Sequence, residues 1–172
     1  MAHTATLPQI SKKRRIVGNE APSIKIFTDT TTNIIAGMIA INVQLLMSTK
    51  DITDEAFIAM LTNLISSYDD NPKVNIVIIV NSSFDEIDNS KNNFECNNIV
   101  IAQDTNGDFA KKYGNSDSGD LLNTMFIVDK EGMLVYACYD IYEESAFENG
   151  IKILTETINF KPKGHTHENW MA

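Results

Sequence analysis

The chain has 172 residues, enough for one domain with a sizeable core, and its 43% apolar and 22% charged content is ordinary for a globular protein. A net charge of -9 works against nucleic acid and anionic membranes as partners, because like charges repel. No apolar stretch is long and uninterrupted enough to span a bilayer, the N-terminus lacks a signal peptide's charged head and apolar core, and two cysteines make no disulfide framework, so a cytoplasmic location is the expectation.

Residues 1–17 alternate weakly and read as an N-terminal arm or edge hairpin. They carry the basic run Lys12-Lys13-Arg14-Arg15, which reads as a solvated face. Gly18-Asn19-Glu20-Ala21-Pro22 follows, with Pro22 fixing the backbone where the domain begins. Residues 23–27 and 31–36 read as two short strands. Over residues 38–47, Ile39, Ile41, Val43, Leu45 and Met47 share one face and Asn42 and Gln44 the other, which predicts a central strand. Thr53 is the predicted N-cap of a helix, with Asp54 and Glu55 in its first turn complementing the dipole. Phe57, Leu61, Leu64, Ile65 and Tyr68 form its apolar stripe. The Val/Ile run at residues 74–80 predicts a strand buried on both faces. The polar segment 82–95 contains a predicted helix.

Residues 99–102 form the next strand, followed by a turn at 104–108 and a helical turn at 109–113 that Gly114 stops. The turn superficially suggests a calcium loop. Its glycine comes early, however, and its twelfth position is Asn115 rather than Glu. Two apolar runs, 125–128 and 133–139, flank the turn Asp129-Lys130-Glu131-Gly132 and predict a hairpin. Cys138 shares strand parity with Leu134 and Tyr136, as a small core residue would. A last helix spans 145–158 with Phe147, Ile151 and Leu154 inward, and 161–172 reads as a flexible tail. His165 and His167 in that tail are weak candidates for metal ligands. No metal site and no cofactor is predicted.

The string DFAKKYG followed by MFIVDKEGMLVYA, together with Gly18-x-x-Ala21-Pro22, resembles the peroxiredoxin (redoxin) family, and within it the thiol peroxidases. The resemblance covers about residues 18–154 and is clearest from Val74 onward. It implies an α/β, thioredoxin-like (peroxiredoxin-type) fold, with a central mixed sheet flanked by helices, over residues 18–160. The family's chemistry needs a low-pKa thiolate at a helix N-terminus and an arginine across the fold. The family loop Pro-Ser-x-Asp-Thr-x-x-Cys matches here with Ser48 at its Ser and Met47 at its Pro. Its Cys position falls on Asp54, or on Glu55 with one inserted residue. Residues 48–58 contain no cysteine. The arginine position falls on Asn123, and Arg14 and Arg15 are the only arginines in the chain. The resolving-cysteine position falls on Asn92, with Cys96 four residues later.

The resemblance therefore implies a vestigial site of Ser48, Asp51, Thr53, Asp54, Glu55, Asn92 and Asn123. The loop should still open a helix facing a shallow pocket bordered by Asn123. Asp54 or Glu55 should satisfy the helix N-terminus, with Ser48 or Thr53 adding a hydrogen bond. A carboxylate cannot form a sulfenic acid, so the family route of peroxide reduction is closed. The expected function is that of a catalytically degenerate thiol-peroxidase-like protein acting by binding or assembly, with a homodimer or another protein as partner. The alternative is a residual thiol-dependent peroxidase or oxidoreductase using Cys96, with or without Cys138.

Overall fold

The computed structural model describes residues 14–68, 70–91, 99–117 and 120–160. The tail histidines, Asn92 and Cys96 lie outside the described residues, as does the arm up to residue 13. Seven strands build one mixed sheet in the order β2-β1-β5-β4-β3-β8-β9. These are β1 (Ile24–Phe27), β2 (Asn33–Ala36), β3 (Val43–Ser48), β4 (Val74–Val80), β5 (Ile99–Gln103), β8 (Thr124–Val128) and β9 (Leu134–Cys138). Two short strands, β6 (Ser116–Asp117) and β7 (Asp120–Leu121), pair separately. The helices are α1 (Glu55–Tyr68), α2 (Phe84–Lys91), α3 (Asp108–Lys112) and α4 (Ala146–Asn159). The central mixed sheet with flanking helices is the architecture the sequence implies.

Period-2 alternation sorts the sheet's side chains into two cores. Val43, Leu45 and Met47 of β3 and Ile76, Ile78 and Val80 of β4 meet Phe57, Leu61 and Leu64 of α1 and Leu154 and Ile158 of α4. Leu46, Val77, Ile79, Phe126 and Val128 face the other way, onto Ile24, Ile26, Phe109 and Tyr113. β3 and β4 pair in parallel from Val43↔Val74 to Ser48↔Ile79, and helices cover both faces, so their apolar runs are continuous. An aromatic stack closes the second core: Tyr113 lies 4.9 Å from Phe109 and 5.0 Å from Phe126 between ring centroids.

Three local expectations are corrected. The central strand starts at Val43, not at residue 38, and Ile39 and Ile41 are 65% and 90% exposed. Gly37 and Met38 both have positive φ, 78° and 46°, and turn the chain before the strand begins. A side chain at Gly37 would collide with the Pro22 carbonyl at 2.0 Å. The turn is held by Gln44, whose buried amide accepts from Gly37 N–H at 2.8 Å and donates to the Gly37 carbonyl at 3.0 Å. Gln44 is thus a buried turn anchor. The helix N-cap is Asp54, not Thr53, because the Asp54 carbonyl accepts from Ile58 N–H at 2.9 Å and α1 starts at Glu55. Finally, a register shift at Ile127/Val128 breaks the parity of β9. Leu134 packs in the second core while Tyr136 and Cys138 pack against the first, and Cys138 is half-buried.

The 104–108 segment is a helix-initiating turn. Asp104 accepts from Phe109 N–H and Ala110 N–H, one per carboxylate oxygen, both at 2.9 Å. Gly107 supplies the left-handed residue before α3 at φ 66°.

Candidate functional site

The loop after β3 is shaped by short-range side-chain bonds. Asp51 Oδ1 accepts from Thr53 N–H at 2.8 Å and from the Thr53 hydroxyl at 2.6 Å, and these bonds hold the exposed Asp51 carboxyl below its ordinary value. Thr53 is thereby committed to Asp51 and adds nothing to the helix N-terminus. Asp54 Oδ2 accepts from Phe57 N–H at 3.2 Å, which is N-capping in its ordinary form. Glu55 stands exposed at the first helical position.

A second donor reaches the same Asp54 oxygen. Tyr142 comes from the loop between β9 and α4, and its hydroxyl lies 2.7 Å from Asp54 Oδ2. Partial burial and this carboxylate together push the Tyr142 phenol well above its ordinary range. Tyr142 is half-exposed and stands far along the chain, so no sequence motif announced it.

Asn123, the residue expected from the sequence at the family's arginine position, does a structural task. Its Oδ1 accepts from Lys50 N–H at 2.9 Å and from the Thr49 hydroxyl at 3.0 Å, fastening the β3 loop to the start of β8. Asp51, Asp54 and Asn123, with Lys50 and Tyr142, line a shallow cavity of about 190 Å³. Three of the sequence-predicted site residues are therefore brought together, with Thr53 bonded to one of them.

Ser48 is not among them. It is fully buried, and its hydroxyl donates to the Leu122 carbonyl at 2.7 Å or pairs with the Thr124 hydroxyl at 2.6 Å. Asn115 completes this cluster: its Nδ2 donates to Ser48 Oγ at 2.8 Å and Thr124 Oγ1 at 2.5 Å, and its Oδ1 accepts from Leu122 N–H at 2.9 Å. Ser48 therefore supplies no hydrogen bond to the helix N-terminus. Its bonds go into the wall behind the loop.

Cys138 lines a larger neighbouring cavity of about 900 Å³ that shares Lys50, Asn123 and Tyr142 with the first. Its thiol donates to the Asp140 carbonyl at 3.2 Å, and burial raises its pKa. A thiol in that state is a poor nucleophile. Arg14 lines the same cavity, stacked with its guanidinium carbon 4.5 Å above the Tyr139 ring. Its neighbour Arg15 ties the arm down, Nε to the Lys112 carbonyl at 2.5 Å and backbone N–H to the Tyr139 hydroxyl at 2.9 Å. The basic run is thus partly docked rather than a free solvated face.

The sequence matches no family model and no curated protein. Solved structures do match. A peroxiredoxin-like protein from Aquifex aeolicus superposes with a TM-score of 0.69 at 17% identity, over 81% of this chain and 88% of that one. Thiol peroxidase from Chromobacterium violaceum gives 0.68 at 17% identity, over 83% and 87%. Mycobacterium tuberculosis AhpC gives 0.66 at 11% identity, over 91% and 99%. The seven-stranded mixed sheet and these superpositions establish that the chain has the thioredoxin-like fold in its peroxiredoxin form.

Proposed function

We propose that the chain is a redoxin-type protein that no longer carries out the family's peroxidase chemistry and works by binding or assembly. The observation that carries this reading is the occupant of the α1 N-terminus. Where the family chemistry needs a thiolate, the chain holds the Asp54 carboxylate, already bonded to Phe57 N–H and the Tyr142 hydroxyl. Peroxide reduction begins with attack of a thiolate on an O–O bond, leaving a sulfenic acid. A carboxylate has no sulfur to oxidise, and it occupies the amide that would polarise the thiolate. The opposite wall offers Asn123, with its carbonyl oxygen engaged by the loop, in place of a fixed arginine. Cys138 fits the reading as a half-buried, protonated thiol.

The proposed partner is a second copy of the chain or another protein. The proposed location is the cytoplasm. Among the described residues no helix is long and apolar enough to cross a membrane. The test is peroxide consumption with a thioredoxin system or dithiothreitol as reductant. Consumption at the free-thiol background supports the reading, and cysteine-dependent turnover replaces it with a thiol peroxidase using Cys96.

A further inference from the structure

The larger cavity has a charge pattern that the redoxin reading does not use. Arg14 and Lys50 bring two cations to its wall, and Asp140, Glu143 and Glu144 bring three carboxylates. None of the five forms an ion pair; those made among the described residues are Lys91–Asp88 and Lys112–Asp108. Arg14 is held in place by the docking of Arg15 and by the Tyr139 ring, while its guanidinium donates to no acceptor among the described residues. Asn123 spends its carbonyl oxygen on the β3 loop, and its amide donors have no acceptor among the described residues.

We propose that this cavity binds a small zwitterion of the amino-acid or short-peptide class, with its carboxylate on Arg14, Lys50 and the Asn123 amide and its ammonium on Asp140, Glu143 and Glu144. A simple anion meets three carboxylates there, and a simple cation meets two positive groups, of which Arg14 is positioned over the Tyr139 ring. A ligand bearing both signs satisfies both sets. Guanidinium recognises carboxylate through two parallel N–H···O bonds, which makes Arg14 the natural anchor for the acid end. The volume of about 900 Å³ is within the range of pockets that take small molecules and admits more than one residue. The inference goes beyond the proposed loss of peroxidase chemistry and needs no thiol, so either can fail without the other.

The experiment is a titration of the full chain, followed by amide NMR shifts and calorimetry, with glycine and with oligoglycines of increasing length. Each probe is run beside its N-acetyl and C-terminal amide forms. The expected result is saturable binding with shifts centred on Asn123, Tyr139 and Glu143. Blocking either end should weaken it by about tenfold or more, the scale of one charged hydrogen-bonded contact. Arg14→Gln and Glu143→Gln, both at exposed positions, should each do the same while leaving the rest of the amide spectrum unchanged. An optimum at glycine identifies a free amino acid as the ligand class, and an optimum at a longer probe identifies a peptide. Absence of saturable shifts, shifts centred elsewhere, or equal binding of blocked and unblocked probes overturns the proposal.

Discussion

The Tyr142 hydroxyl donates to Asp54 Oδ2 at 2.7 Å, joining the β9–α4 loop to the N-terminus of α1 across 88 positions of chain. The same oxygen accepts from Phe57 N–H, so one carboxylate caps a helix and anchors a distant loop. Asp54→Ala should cost about 1 kcal/mol through the lost cap. Tyr142→Phe should cost about 0.5–1 kcal/mol, less than a fully buried charged hydrogen bond because the pair is partly exposed. Urea unfolding of both single variants and the double variant gives the coupling, expected at about 0.5 kcal/mol or more. Strict additivity would show that the contact carries no energy.

The Asn115 cluster is the costliest polar feature to disturb. Asn115→Leu removes the donor to the fully buried Ser48 and Thr124 hydroxyls and strands the part-buried Leu122 N–H. The expected loss is about 2–4 kcal/mol by urea unfolding, since buried groups without partners bear their desolvation cost. A loss below about 1 kcal/mol would mean that the cluster relaxes or admits water.

Cys138 should react slowly with thiol reagents. Its pKa is raised, first by burial and then by nearby Glu143 and Asp140, so little thiolate exists near neutral pH. In a Cys96→Ser background the labelling rate should climb with pH and show no plateau below about pH 9. Cys138→Ser should cost less than a change at a fully buried position, because serine keeps the bond to the Asp140 carbonyl. Fast labelling at pH 7 would contradict this placement.

Tyrosine titration gives a signed pH dependence. Burial raises Tyr113, Tyr139 and Tyr142, and holds Tyr136 at about 12. A phenol whose folded pKa exceeds the unfolded value of about 10 stabilises the fold fully below pH 10. That stability is lost as pH rises from there through the folded values. Absorbance at 295 nm should therefore show most of the five tyrosines still neutral at about pH 11, with tyrosinate appearing together with unfolding. Early titration of all five in the folded protein would contradict it.

Much of the fold was legible because burial writes a period into the chain. The run at β4, the stripe of α1 and the β8–β9 hairpin all follow from spacing alone. The start of β3 was not legible, because Ile39 and Ile41 continue the alternation of Val43 and Leu45. What breaks the strand is backbone, positive φ at Gly37 and Met38, clamped by the buried amide of Gln44. Cys138 was misplaced relative to Leu134 for a related reason: one register shift reverses parity without changing composition. At the site, matching along the loop found Asp54 and Asn123, which are local to their strands. Tyr142, Asn115 and Arg14 reach it only through tertiary placement. Their residue types are common at surfaces and turns, and their spacing carries no signal.

The proposal that the Asp54 carboxylate stands where the family chemistry needs a thiolate is tested most directly by cysteine-dependent peroxide turnover. Hydrogen peroxide and an alkyl hydroperoxide are each given to the wild-type chain and to the Cys96→Ser/Cys138→Ser variant, with the thioredoxin system as reductant. The expected result is the same slow consumption by both proteins, equal to the rate of reductant alone. Multiple turnovers by the wild-type chain that vanish in the cysteine-free variant would contradict the loss of peroxidase chemistry.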